Sequence, residues 1–137
     1  KMVGIKDLSF MEIAIKKADK ILDVILGKEY FLDIEPVFVT RSGEGSLLFS
    51  REMAHCNILC DVYPQQDGTY LMNLAASSNN KEIGNIKFCI TKSKETIMEK
   101  YTNSSGNTGS FIIDLGVYYI NISNIKSEIG NIKINLS

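Results

Sequence analysis

No stretch of this sequence approaches the ~20 consecutive apolar residues that a membrane-spanning helix requires. The opening Lys1-Met2-Val3-Gly4-Ile5-Lys6-Asp7 holds no apolar run of signal-peptide length. A membrane partner is therefore not expected. A basic excess is missing too: 15 Lys and Arg stand against 16 Asp and Glu, a formal net charge of -1. Nucleic-acid binders need cations to displace counterions from phosphates, so no nucleic-acid partner is expected. Lys16, Lys17 and Lys20 lie close together, but they read as one solvated face. Cysteine is scarce and odd in number. Cys56, Cys60 and Cys89 cannot all pair with one another, which fits a reducing, cytoplasmic compartment better than a disulfide framework. Sequons at Asn103, Asn121 and Asn135 are what a chain rich in Asn and Ser supplies by chance.

The signatures of catalysis are absent as well. The sequence contains no G-x-S-x-G, no phosphate-binding loop, no G-x-G-x-x-G and no H-E-x-x-H. Gly106-x-x-Gly109 lacks the lysine and following hydroxyl that would cradle a phosphate, and reads as a linker. His55, Cys56 and Cys60 are neighbours, but a structural zinc site needs four converging ligands. Side chains alternate along a strand, so Cys56 and Cys60 fall on the face of Ile58 and Val62, opposite His55. They read as small core residues. Asp33 and Glu35, two apart, have no third carboxylate in register and read as surface. No metal and no cofactor are expected.

What is present is ordinary globular composition, 45% hydrophobic and 23% charged over 137 residues, enough for a single domain spanning 1–137. Ser9-Phe10-Met11-Glu12 has the form of a capping box. Met11, Ala14, Ile15, Ala18, Ile21, Leu22 and Ile25 recur at helical spacing, which predicts an amphipathic helix from about 10 to 26, ended at Gly27. Beyond it the pattern turns to short apolar runs. Tyr30–Thr40 is β-rich, with Pro36 marking an edge or bend, and Ser42–Ser46 reads as a loop. Strands are expected at Ser46–Ser50, Ala54–Tyr63, Thr69–Ala75 and Ile83–Thr91. Gln65-Gln66-Asp67-Gly68 supplies a hairpin turn. A short second helix is expected near 93–101, a flexible segment over Asn103–Ser110, and a last hairpin from Phe111–Ser123 and Ile129–Leu136. The fold class predicted is α+β, an N-terminal helix packed on a mainly antiparallel sheet or sandwich.

One repeat stands out. Glu82-Ile83-Gly84-Asn85-Ile86-Lys87 recurs letter for letter as Glu128-Ile129-Gly130-Asn131-Ile132-Lys133, and Tyr70–Leu74 parallels Tyr118–Ile122. Two copies are too few for a solenoid, so two equivalent hairpins are expected.

These observations point to a surface that binds rather than a pocket that reacts. The expectation is a non-catalytic protein-binding domain, a stoichiometric inhibitor such as a bacterial toxin-neutralising immunity protein. A protein partner, a toxin in that case, would dock on His55, Asp61, Tyr63, Asp67 and Tyr70, because interfaces concentrate affinity in aromatic and charged anchors. Two other readings stand beside it. One is a small hydrolase or nuclease-like enzyme using His55, the residue best suited to exchange a proton near neutral pH, with Arg51 or a carboxylate from elsewhere in the chain brought alongside. The other is a phage or viral accessory protein.

Overall fold

The protein is described by a computed structural model over residues 10–18, 21–26, 38–41 and 47–137. Among these residues there are twelve strands and no helix. Six strands form one sheet in the order β2 (Ile21–Leu26), β1 (Phe10–Ala18), β12 (Glu128–Leu136), β11 (Gly116–Ser123), β8 (Lys87–Lys92), β9 (Glu95–Tyr101). The second sheet runs β10 (Asn107–Ile113), β6 (Tyr70–Ser78), β5 (Cys56–Pro64), β4 (Leu47–Met53), β3 (Phe38–Arg41), with β7 (Lys81–Glu82) paired to β6. All neighbours are antiparallel except β1 and β12, which pair in parallel from Phe10↔Asn131 to Ile15↔Leu136.

The expected α+β architecture is thus corrected to two β-sheets. The helix over 10–26 is two antiparallel strands, with Ala14 opposite Ile25 and Ala18 opposite Ile21. The physical reason lies in residues 11–15, which satisfy two periods at once. Met11, Ala14 and Ile15 fit a helical stripe, while Met11, Ile13 and Ile15 fit an alternating strand. The alternating set is the buried one: all three are at most 1% exposed, and Glu12 and Ala14 are half-buried on the other face. β-Branched Ile13 and Ile15 favour a pleated surface, and β12 supplies the ladder that no local pattern announces. The Ser9 cap, Gly27, Pro36, the Ser42–Ser46 loop and the Asp33–Glu35 pair lie outside the described residues.

The helix near 93–101 is corrected in the same way. Ser93 and Lys94 adopt φ of 54° and 70° between the paired Lys92 and Glu95, a two-residue hairpin turn with both central residues left-handed. Glu95–Tyr101 returns from it as the edge strand β9. Asn103–Ser110 is more ordered than its composition suggests. Asn103 Oδ1 accepts from the Ser105 amide at 2.8 Å, the Gly106 amide donates to Asn103 O at 2.8 Å, and Asn107 already begins β10.

In β4, β5 and β6 the alternation expected of strands holds, the strand expected over Ile83–Thr91 begins only at Lys87, and the Asp67-Gly68 turn forms. Gly68 takes φ of 93°, and the Thr69 amide donates to Asp67 Oδ1 at 3.0 Å. Phe111–Ser123 is not one strand. The chain leaves the second sheet at Ile113 and enters the first at Gly116, and Tyr118 Oη fastens that crossing by donating to Asp114 O at 2.8 Å. The two identical hexapeptides take different backbones. The first turns through Asn85, whose φ is 63°; the second stays within β12, with a bulge where Gly130 lies opposite Ile122 and Glu128 opposite Ser123.

The core lies between the sheets. Phe49, Ile58, Cys60, Val62, Met72 and Leu74 face Ile13, Phe88, Ile90, Ile120, Ile132 and Ile134, and every one of these is 0% exposed. Tyr70 and Tyr118 are also buried there, each with its hydroxyl on a backbone carbonyl, which is how a phenol enters a core without an unsatisfied polar group. No helix among the described residues is long and apolar enough to cross a membrane.

Candidate functional site

The outward face of the second sheet is built in rows by the registers of β4, β5, β6 and β10. Glu52, Asn57 and Ser77 form one row. Ser50, Leu59 and Ala75 form the next, then Leu48, Asp61, Asn73 and Ser110, and finally Tyr63, Leu71 and Ile112. The face is therefore graded. It is wholly polar at the end carrying the β4–β5 turn and apolar at the other, where Tyr63 is 38% and Ile112 58% exposed.

The polar end is concave. Glu52, His55, Asn57, Ser77, Ser78, Asn79 and Asn80 line a bowl of ≈ 440 Å³. Its rim is two tight hairpin turns, Ala54-His55 and Asn79-Asn80, with φ of 49°, 68°, 53° and 64°. Ser78 Oγ donates to His55 O at 2.9 Å and ties one turn to the other. Asn tolerates the left-handed region well, whereas an alanine there is uncommon and strained.

The apolar end differs from the outward face of the first sheet, which also displays aromatic rings. There the polar groups are matched to one another. Lys133 Nζ lies 3.7 Å from Glu12 Oε2 and 5.8 Å from the Tyr119 ring centroid. Asn121 Nδ2 donates to Asn131 Oδ1 at 2.9 Å, and Lys87 Nζ is 3.5 Å from Glu99 Oε2. Tyr101, Val117 and Tyr119 are exposed there too, but each pairs across the ladder with a polar residue, Lys87, Asn135 and Lys133 respectively.

The five residues singled out from the sequence separate into four places. Asp61 and Tyr63 share the outward face of β5, and the alternation that put Cys60 on the core side is observed. His55 caps the far end of that face in the β4–β5 turn. Asp67 sits in the β5–β6 turn, where its Oδ1 also accepts from Thr69 Oγ1 at 2.6 Å. Tyr70 is different: it is 0% exposed, and its Oη donates to Ser137 O at 3.1 Å, so its ring belongs to the core. Arg51, paired in the sequence reading with His55, falls on the core-facing side of β4 with Leu47, Phe49 and Met53 and is 7% exposed.

Electrostatics argue against nucleophilic or metal chemistry at these cysteines. Burial pushes the Cys60 thiol up to about 12, with the Asp61 carboxylate adding to the effect, so Cys60 stays protonated and unreactive. Burial, then Glu52, also raises Cys56. Among the described residues no group of three or more His, Cys, Asp or Glu is placed to hold a metal ion. Burial raises Asp61 as well, and its Oδ1 is shielded from solvent with no hydrogen-bond partner among the described residues.

The sequence missed Asn57, Ser77, Ser78, Asn79 and Asn80 as site residues. The only local signal was Asn79-Asn80 between two strand patterns, which marks a left-handed turn but says nothing of the hairpin it will face. Comparison with protein-family models, with curated proteins and with solved structures gives no match.

Proposed function

We propose that this chain is a non-catalytic protein-binding domain whose partner docks on the outward face of the second sheet. The observation that carries the reading is the row Tyr63–Leu71–Ile112, apolar across three strands in register, with Leu48 in the adjoining row. Contiguous exposed apolar surface with polar flanks is the usual mark of a protein interface, and tyrosine is enriched among the residues that dominate binding. Asp61, half-buried beside this row, supplies a charge that a partner's cation would neutralise. The stoichiometric inhibitor expected from the sequence, a toxin-neutralising immunity protein for example, is one form of this reading. Three free thiols, Cys56, Cys60 and Cys89, support placement in a reducing compartment, the cytoplasm.

The test is affinity capture from the native cell lysate with four immobilised forms. These are the wild type, Tyr63→Glu with Ile112→Glu, Tyr101→Glu with Tyr119→Glu, and a blank. The first double variant is expected to lose one specific protein at least about tenfold, consistent with losing roughly 1.4 kcal/mol or more from hot-spot contacts, while the second retains it. Capture lost on the Tyr101/Tyr119 pair and kept on the Tyr63/Ile112 pair would transfer the function to the first sheet.

A further inference from the structure

The bowl at the polar end of the second sheet has a chemistry of its own, separate from the apolar row. Its volume of ≈ 440 Å³ falls within the ~300–1,000 Å³ typical of small-molecule sites. No apolar side chain lines it, so a flat hydrophobic ligand finds nothing to bury against. No lysine or arginine lines it either, and Glu52 would repel a phosphate or sulfate. A divalent cation would want several oxygen ligands with more than one carboxylate among them, and Glu52 is the only carboxylate present.

What the bowl does offer is carboxamides and hydroxyls. Asn57, Asn79 and Asn80 each carry two donors and one acceptor oxygen, and Ser77 both donates and accepts. Glu52 accepts only, in two directions, which suits a pair of adjacent hydroxyls. Sugar hydroxyls likewise donate and accept at once, so each can be satisfied on both counts. The rim is fixed in advance by the Ser78–His55 hydrogen bond between the two hairpins, which lowers the ordering cost of binding. We infer that this bowl binds a neutral, polyhydroxylated ligand, a saccharide unit held by Glu52, Asn57, Ser77, Asn79 and Asn80. With no phenylalanine, tyrosine or tryptophan in the lining to stack on a sugar face, affinity rests chiefly on hydrogen bonds and is set at about the millimolar level.

The experiment is an amide-resolved NMR titration of the full chain. The probes are maltotriose, cellotriose, mannotriose and triacetylchitotriose, with inorganic phosphate and Ca²⁺ as contrasts. At least one saccharide is expected to give saturable shifts confined to residues 52–57 and 77–80, with Kd on the order of 1 mM. Asn57→Ala should weaken it roughly tenfold, as should Asn80→Gly, which removes one amide while keeping a residue at ease with positive φ. Both positions are exposed, so the fold is not at stake, and the spectrum itself verifies it. Four outcomes overturn the inference: no saturable shift from any saccharide up to ~50 mM, shifts unaltered in both variants, shifts mapping elsewhere, or phosphate or Ca²⁺ binding at the bowl instead. None of these touches the Tyr63/Ile112 reading, whose variants lie at the opposite end of the second sheet.

Discussion

Replacing Ile13 by alanine and Ala14 by lysine distinguishes a strand from a helix at residues 10–18 with one pair of proteins. In the two-sheet architecture Ile13 is fully buried opposite Ile134, and Ala14 sits half-buried on the outward face. Ile13→Ala removes three carbon groups from a closed core. At about 0.8 kcal/mol each the transfer loss is about 2.4 kcal/mol, and the residual cavity brings the expected cost to about 3–4 kcal/mol. That is a large share of the ~5–15 kcal/mol that holds a domain together. Ala14→Lys introduces a long cation on the outward face and should stay within about 1 kcal/mol. The assay is urea unfolding followed by far-ultraviolet circular dichroism, since the chain has no tryptophan. The Ile13→Ala midpoint should fall by roughly 1.5–2 M with an unchanged slope. A helix over the same residues would reverse the order, with Ala14→Lys the damaging change and Ile13→Ala the mild one. That result would refute the strand assignment.

Three further outcomes follow from single contacts. Asp61→Asn should stabilise the protein at pH 7 by up to about 1 kcal/mol, because a half-buried carboxylate charge is replaced by a neutral amide of the same shape. Burial raises the Asp61 pKa, so the native state holds its proton more tightly than the unfolded chain. The stability this lends is present below the unfolded value and disappears as pH rises through the raised native one. The gap between the two proteins should therefore close on acidification, measured by urea midpoints from pH 7 to pH 3. Thr102→Val should cost about 2–3 kcal/mol by the same assay, because the hydroxyl donates to Ile83 O at 2.7 Å and accepts from the Ile86 amide at 2.9 Å; Thr102→Ser should recover most of it. Ala54→Gly should raise the calorimetric melting temperature by roughly 2–5 °C, by relieving a left-handed φ of 49°.

How much of this was legible in the sequence depends on whether the deciding contact was local. The alternation of β5 was readable because period two is written within nine residues, and it correctly separated Cys60 from Asp61. The Asp67-Gly68 turn was readable because its chemistry is contained in four residues. Residues 11–15 fit two periods, and the choice between them rests on β12, more than a hundred residues away. Ser93-Lys94 form a left-handed turn without glycine or asparagine, so no turn residue announced it. Tyr70 looked like an interface residue because its hydroxyl partner, Ser137 O, is 67 positions distant. The repeated Glu-Ile-Gly-Asn-Ile-Lys makes the same point: one copy turns and the other extends, so these six letters do not fix their own backbone. The bowl needed the register of β4, β5 and β6 before Glu52, Asn57 and Ser77 could be seen as neighbours.

Hydroxyl-radical footprinting of the free protein against its captured complex reads side-chain exposure directly, one residue at a time. If the outward face of the second sheet is the docking surface, oxidation of Tyr63, Leu71 and Ile112 should slow severalfold in the complex while Tyr101 and Tyr119 react as before. Protection of Tyr101 and Tyr119, with Tyr63 and Ile112 unchanged, would contradict the account.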